Sequence, residues 1–345
     1  MIDPHVHLRD GVLSEKETIK HGCELASEAG FTAVFDMPNT VPTLTSKENI
    51  INRIQYAENI LCKANIKIFY SIYGGLTNDF YQIKEVVEFY NKNFPKIIGL
   101  KMFAGHSTGQ MGIIEKKEQR SVYAALTKLD YKGVLAIHCE KEDLIDNSVF
   151  KLEKPETHSL ARPPIAEIES IKDQINLATE EKFKGHIHIC HISTSQGIKL
   201  VKEAKNAGMS ISCGATAHHA LLNIETYKKH GLFAKMNPPL RGEDDRKAVF
   251  EGLINGNIDW IESDHAPHTV ADKQKGASGI PGFAGLLLLV QKLREVGCSE
   301  DRLKELCGEN VNKIFKLSLN FNIPSEKIIG NSLPLLKKGY PYNIF

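Results

Sequence analysis

The stretch Val134-Leu135-Ala136-Ile137-His138 shows the pattern that decides the fold of this 345-residue chain. Its apolar residues are continuous rather than alternating, as in parallel strands that are buried on both faces. The run Ile97-Ile98-Gly99-Leu100 has the same character, and Lys101 follows it as His138 follows the first run. The sequence therefore predicts buried parallel strands that each end at a side chain able to carry chemistry.

Strand candidates recur along the whole chain and alternate with amphipathic stretches of helical period. The strands are predicted at residues 2–7, 32–36, 66–73, 97–102, 134–138, 186–191, 209–213 and 260–264. Helices are predicted at residues 14–30, 47–63, 79–93, 117–129, 166–182, 195–207, 244–255 and 283–296. Eight strands, each followed by a helix, predict an α/β protein with a (β/α)8 TIM barrel. A doubly wound sheet is not favoured, because no Gly-rich phosphate loop follows an early strand.

Two local patterns refine this prediction. Ser14 and Glu17 have the spacing of a capping box, which predicts that the first helix begins there and ends at Gly30. The segment 323–345 contains Gly330 and Pro334 and has no clear period. We therefore assign residues 1–322 to the catalytic barrel and residues 323–345 to a short tail that packs on or near it.

Composition excludes several classes of function. The net charge of +1 implies no bulk attraction to nucleic acid or to an anionic membrane. No apolar run approaches the roughly 18 residues of a membrane span, and we expect no signal peptide before His5. The seven cysteines are scattered without CxxC spacing, which is typical of reduced thiols. We expect a cytoplasmic protein.

Histidine and acidic residues at the strand ends predict a metal site. His5 and His7 point to the same side of the first strand, because side chains alternate with period two. His138, His191 and Asp264 end three later strands, and such ends meet at one face of a barrel. Imidazole and carboxylate groups are ligands that Zn²⁺ prefers. Taken singly, each residue also has a structural explanation, such as a buried core histidine or a helix N-cap at Asp264.

Lys101 lies next to the end of the fourth strand and needs a separate explanation. An ammonium group cannot bind a cation, because it is positively charged and has no lone pair. A buried lysine can lose its proton, and the neutral amine can react with CO₂ to form a carbamate that bridges two metals. The alternative is a snorkelling side chain between Leu100 and Met102.

Seven segments together carry a family resemblance. The chain resembles the dihydroorotases of the amidohydrolase superfamily, whose motifs it matches in family order from residue 3 to about Gly282. The matching segments are DPHVHLRD (3–10), DMPNT (36–40), GLK (99–101), HCE (138–140), HIST (191–194), NPPLR (237–241) and SDHAPHT (263–269).

The resemblance implies two Zn²⁺ ions per chain in a barrel of the metal-dependent hydrolase type. One ion would be bound by His5, His7 and Asp264, and the other by His138 and His191. Lys101, carboxylated on its amine, would bridge them. The reaction would be the reversible hydrolysis of (S)-dihydroorotate to N-carbamoyl-L-aspartate, a step of pyrimidine biosynthesis, with Asp264 as the proton carrier.

The resemblance also implies the substrate contacts. Arg9 and Asn39 would hold the substrate carboxylate, since arginine suits bidentate recognition of carboxylates. Asn237 and His268 would contact the substrate ring and carboxylate, and the backbone of Gly282 would complete that contact. Asn39 has an ordinary alternative as an Asx-turn residue after Pro38. The partner is thus a small molecule, and a homodimer remains open as the oligomeric state.

Two features depart from the family pattern. Many relatives carry a β-rich segment before the His-x-His strand, and here that accessory domain is expected to be absent or vestigial. Glu262 shares strand parity with Asp264 and should point into the barrel, where a small residue is expected. A buried carboxylate needs a partner, so we expect Glu262 to neutralise a cation or to perturb the metal layer.

Other functions are compatible with the same motifs. Hydantoinases, dihydropyrimidinases and allantoinases share the chemistry, but their substrates lack the carboxylate that Arg9 would hold. A non-catalytic scaffold for another pyrimidine enzyme is the alternative from a different class. His186 and His188 have the opposite parity to His191 and are expected to face the helices. The loop 105–109 is interpreted as a lid over the site, from its glycines.

Overall fold

The barrel is confirmed by a computed structural model, which describes residues 1–106 and 111–345. Eight parallel strands follow one another in chain order around a single sheet. They are β1 Ile2–Val6, β2 Ala33–Asp36, β3 Phe69–Gly75, β4 Ile97–Ala104, β5 Val134–Cys139, β6 His186–Ile189, β7 Ile211–Ala215 and β8 Trp260–Ile261. A parallel bridge between Val6 and His265 joins the two ends of the sheet.

Helices follow the strands along the chain. They are α1 Ile19–Glu28, α2 Lys47–Lys63, α3 Phe80–Asn93, α4 Lys116–Lys128, α5 Thr157–Ala161, α6 Pro164–Glu180, α7 Ser195–Asn206, α8 Ala217–Leu221, α9 Thr226–His230, α10 Glu243–Asn255, α11 Val270–Gln274, α12 Phe283–Glu295, α13 Glu300–Lys304, α14 Asn310–Phe315 and α15 Glu326–Lys338. In the described part of the chain, none of them combines the length and apolarity of a membrane span.

The barrel interior is filled from one end by aromatic side chains. Phe315 of α14 packs edge-on against Phe35 of β2 and Tyr73 of β3, and it also contacts Trp260 of β8. These residues belong to one buried cluster. Because all eight strands are parallel, their carboxyl ends and the polar residues near them meet at the opposite end of the barrel.

The predicted orientation of His188 is wrong. Its ring stacks on Trp260 at a centroid distance of 4.1 Å, and its Nε2 lies 3.0 Å from Glu262 Oε2, so it faces the barrel interior. The parity argument failed because β6 ends at Ile189 and His191 has a left-handed backbone with φ of 37°. Alternation holds only while the backbone stays extended. The rings of His186 and His188 both contact the hydroxyl of Ser212.

The predicted capping box is also wrong. Ser14 ends a short 3-10 turn at Gly11–Leu13, and the N-cap of α1 is Thr18, whose hydroxyl accepts from the N–H of His21. Glu17 is buried instead of capping the helix.

Residues after 322 contain a helix that the sequence analysis did not predict. Helix α15 includes Pro334 and packs against α1 and α12. Beyond it, the hydroxyl of Tyr340 donates to Glu17 at 2.7 Å, and the hydroxyl of Tyr342 donates to the carbonyl of Gly279 at 3.2 Å. The domain boundary at residue 322 stays a prediction. Part of the proposed lid, residues 107–109, lies outside the described residues.

Replacing Glu17 with glutamine should destabilise the fold in a pH-dependent way. Burial would raise the pKa of Glu17, but hydrogen bonds to His21 and His265 outweigh this and lower it to about 2. A pKa that folding lowers contributes stability above the unfolded value, near 4.5, and this stability is lost as the pH falls towards 2. We expect Glu17→Gln to lower the free energy of unfolding by about 2–3 kcal/mol at pH 7 and by less than half of that at pH 3.

Urea unfolding of both proteins at the two pH values measures this difference. Glu15→Gln, which removes an exposed carboxylate two residues away, is the control. The same loss at pH 7 and pH 3 would show that packing rather than charge explains the effect.

Candidate active site

A small cavity at the carboxyl end of the barrel brings most of the predicted site residues together. Its lining includes His5, His7, Arg9, Asn39, Lys101, His138, His191, Asn237 and Asp264. These residues lie in β1, β4 and β5, in the loops that follow β1, β2, β6 and β8, and in the loop after α9. Phe103, Ala266, Ser278 and Gly279 complete the lining and were not predicted.

His5, His7 and Asp264 form one group of potential metal ligands. The Nε2 atom of His7 lies 3.0 Å from Asp264 Oδ1, and the Nε2 atom of His5 lies 3.4 Å from the same oxygen. One ligand atom from each of the three residues falls within 4.8 Å of the others. All three side chains are buried. This spacing fits a single cation held by two imidazoles and a carboxylate.

His138 and His191 form a second group beside the first. The Nδ1 atom of His138 lies 3.1 Å from the Nε2 atom of His191, so a lone pair from each ring can be directed at one point. The rings of His5 and His191 have centroids 5.2 Å apart, which places the two groups side by side.

Lys101 lies in the same cavity and is fully buried. Its Nζ donates to the sulfur of Cys190 at 3.0 Å and lies 5.0 Å from the ring centre of Phe103. Burial raises the pKa of the Cys190 thiol to about 12, so this thiol is a neutral neighbour. In the described residues, no carboxylate lies within ion-pair distance of the amine.

Burial keeps the four histidines in the neutral form that binds metals. It lowers the pKa of His5 to about 4, with the charge of Lys101 as a further cause. It lowers the pKa of His138 in the same direction and holds those of His7 and His191 well below the ordinary value. Metal binding to these rings would therefore displace no protons at neutral pH.

Oxygen atoms lie beside the outer nitrogens of three of these rings. The Nδ1 atom of His7 lies 2.7 Å from Asn39 Oδ1, the Nε2 atom of His138 lies 3.0 Å from Glu140 Oε2, and the Nδ1 atom of His5 lies 3.4 Å from Glu262 Oε1. In each case the contact engages the nitrogen opposite the one that faces the other ligands. The contact of His7 is a hydrogen bond of the kind that holds ligating histidines, whereas those of His138 and His5 are at ion-pair distance without a hydrogen bond. The donor set and its supports thus fit a pair of divalent cations.

The loop after β1 places Arg9 beside the metal-ligand groups. Asp36 accepts from the N–H of Leu8 at 2.9 Å and pairs with Arg53 at 2.6 Å, and Arg53 also donates to the carbonyl of Arg9 at 2.8 Å. The backbone of Arg9 is left-handed, with φ of 44°, as are those of His191 and Asp264. Non-glycine residues rarely adopt this conformation, and it concentrates at functional sites.

The sequence of the chain matches a known family over more than half its length. The sequence model of the family described as "Dihydro-orotase-like" matches residues 1–197. The chain belongs to the dihydro-orotase-like family.

Similar proteins extend this match beyond residue 197. A dihydroorotase of Methanosphaera stadtmanae is 31% identical over 356 residues, which covers 100% of this chain and 74% of the relative. A dihydroorotase of Pyrococcus abyssi is 38% identical over 289 residues, covering 82% of this chain and 59% of the relative. The chain therefore spans between about three fifths and three quarters of the length of these relatives.

Solved structures share the fold. An L-hydantoinase (dihydropyrimidinase) from Arthrobacter aurescens superposes with a TM-score of 0.83 at 22% identity, covering 94% of this chain and 72% of that chain. A dihydroorotase from Campylobacter jejuni superposes with a TM-score of 0.69 at 21% identity, covering 92% and 84%. At these identities the likeness shows the shared (β/α)8 architecture alone.

His268 and Gly282 do not line the cavity of this dihydro-orotase-like chain. The Nε2 atom of His268 lies 2.9 Å from the carbonyl of Ser278, and the N–H of Gly282 donates to Nδ1 of His265 at 3.1 Å. A Cβ at Gly282 would lie 2.4 Å from the carbonyl of Ser263, so glycine is required there for close packing. Both residues support the wall, and their contact with substrate stays a prediction.

Sequence reasoning missed the residues that shape this wall. Lys273 is buried, and its amine donates to the carbonyls of Lys235, Ala277 and Gly279 at 2.7, 3.0 and 2.9 Å. It thereby joins the segment before Asn237 to the loop that carries Gly279. The only signal in the sequence was the glycine content of residues 276–282, which indicates a loop but not its contacts.

Proposed function

We propose that the protein is a dihydroorotase that catalyses the reversible hydrolysis of (S)-dihydroorotate to N-carbamoyl-L-aspartate. Two Zn²⁺ ions would be held by His5, His7, His138, His191 and Asp264, with carboxylated Lys101 as the bridge. When bound, the metals supply an activated water and polarise the ring carbonyl that it attacks. The family membership and the relatives named dihydroorotase support this proposal.

One observation of the site carries the choice of substrate. The cavity that contains the metal-ligand groups also contains Arg9, so a cation lies beside the reacting centre. Dihydroorotate has a carboxylate for this guanidinium, whereas hydantoin and dihydrouracil have none. The Nε atom of Arg9 is buried without a hydrogen-bond partner among the described residues, which leaves it available to a ligand.

The other residues of the cavity position substrate and move a proton. Asn237 Oδ1 lies 3.1 Å from the hydroxyl of Ser278 and 2.9 Å from Nε2 of His158, so its amide nitrogen is the group directed to a substrate carbonyl. Burial raises the pKa of the Asp264 carboxyl, which suits a proton acceptor. Asp264 would take a proton from the attacking water and deliver it to the leaving ring nitrogen.

A panel of cyclic amides tests the proposal. The purified protein would be assayed spectrophotometrically with dihydroorotate, hydantoin, dihydrouracil and allantoin. We expect efficient turnover of dihydroorotate and little of the others. Preferred turnover of an uncharged ring would instead identify a hydantoinase-type enzyme, and the absence of turnover for all four would favour a scaffold.

Replacing Arg9 with methionine should raise the KM for dihydroorotate by roughly 10–100-fold, because a charge-assisted hydrogen bond contributes about 1.5–3 kcal/mol. The slow turnover of neutral dihydrouracil should change little, because that substrate has no carboxylate. Arg9→Lys keeps the charge without the bidentate geometry. Its KM for dihydroorotate should lie between those of the wild type and of Arg9→Met. Equal losses on both substrates would indicate that Arg9 only shapes the loop.

A further inference from the structure

Glu262 is buried under the cavity in a site formed by three strands. Its Oε2 accepts from the indole N–H of Trp260 at 2.9 Å and lies 3.0 Å from Nε2 of His188. Gly214 of β7 leaves the necessary space, because a Cβ at that position would lie 2.4 Å from Oε2. Since β6, β7 and β8 each contribute to this site, the carboxylate is fixed in one position.

The other carboxylate oxygen faces the proposed metal ligands. Glu262 Oε1 lies 3.4 Å from Nδ1 of His5 and accepts from the backbone N–H of His191 at 2.5 Å. His5 belongs to the group that includes Asp264, and His191 to the group that includes His138. One carboxylate therefore contacts a ligand of each group.

We propose that Glu262 is a positioning residue for both metal centres, an inference that rests on the proposed metal pair. Its Oε1 also lies at ion-pair distance from Nδ1 of His5, which has no hydrogen-bond partner among the described residues, and a carboxylate beside one imidazole nitrogen favours the proton there and leaves the other nitrogen free to face a metal. Through the backbone of His191 it holds a left-handed conformation that non-glycine residues disfavour. The two centres thus share one support, and its loss should weaken both.

Zinc retention by the holoenzyme tests this proposal. Wild type, Glu262→Ala and Glu262→Gln would be challenged with increasing concentrations of a chromophoric chelator, and both zinc dissociation constants would be fitted. We expect both constants to rise about 10–100-fold in Glu262→Ala and by less in Glu262→Gln, which keeps an acceptor for the N–H of His191. Ser71→Ala is the matched control, since it removes a buried strand hydroxyl that bonds, among the described residues, only to the carbonyls of Pro95 and Lys96.

Three results would decide against the proposal. Unchanged constants in both Glu262 variants would overturn it, and so would a change in only one constant, because the carboxylate would then not serve both centres. An equal loss in Ser71→Ala would show that the effect is general destabilisation.

If Glu262→Ala does not fold, Glu262→Gln carries the test, supported by the visible spectrum of its Co²⁺ form. Zinc retention does not depend on which cyclic amide is hydrolysed, so a failure of the proposed activity would be seen separately in the substrate assay.

Discussion

Alanine in place of Lys101 is expected to reduce kcat/KM for dihydroorotate by about a thousandfold or more. The proposed metals contribute several kcal/mol to the reaction, and Lys101 is the ligand proposed to bridge them. Its amine is fully buried and donates only to the thiol of Cys190 among the described residues, so no nearby group can take its place. The bound zinc should fall from two ions per chain towards one or none.

Metal analysis and steady-state kinetics on the same samples check this expectation. Lys199→Ala, which removes an exposed lysine of α7, is the control for the loss of one positive charge. Protein prepared without CO₂ or bicarbonate should show the same defect, and bicarbonate should restore activity to wild type but not to Lys101→Ala. Two zinc ions and normal turnover in Lys101→Ala would eliminate the bridging role.

Replacing Asp264 with asparagine is expected to lower kcat for dihydroorotate by about 10²–10⁴-fold, which is the usual contribution of general acid–base catalysis. Asparagine keeps an oxygen that can face His5 and His7, but it cannot accept a proton at the pH of the reaction. KM should change much less than kcat, because Asp264 acts on the proton rather than on the substrate carboxylate.

Zinc content must be measured in the same preparation, because Asp264 is also a proposed metal ligand. At saturating zinc, we expect Asp264→Asn to retain metal while remaining slow. Asp244→Asn, an exposed change at the start of α10, is the control. Near-normal kcat with both ions bound would remove Asp264 from the proton pathway.

The sequence predicted the barrel well because its strands are buried on both faces. Continuous apolar runs such as 97–100 and 134–137 have few alternatives, and the structure places β4 and β5 on them. The ends of the elements were predicted less well. Helix α1 begins after Thr18 rather than at Ser14. Glu17 does not cap it, because its carboxylate contacts the side chains of His265 and Tyr340 from distant parts of the chain. No local pattern could reveal those contacts.

The candidate site was predictable where the topology alone determines position. His5, Lys101 and His138 lie in the carboxyl-terminal halves of parallel strands, so they must meet towards one end of the barrel. Residues placed by loops were not predictable, as Ser278 and Gly279 show. The alternation of side chains along a strand was also a poor guide at His191, because its backbone is left-handed and the direction predicted for His188 was therefore wrong.

For Glu262, the sequence predicted the direction of the side chain but not its partners. Its inward direction followed from parity with Asp264, and its burial is as predicted. Its partners could not be foreseen, since His188 was expected to face the helices and Gly214 gave no signal of a cavity. A contact between strands depends on register, which one sequence does not specify.

The most direct test of the central claim is to measure dihydroorotate hydrolysis and zinc content together on one purified sample of wild-type protein. The account predicts that activity rises as zinc is restored and is greatest at two ions per chain, with hydantoin and dihydrouracil turned over poorly. Protein that holds two zinc ions per chain and does not hydrolyse dihydroorotate would contradict it.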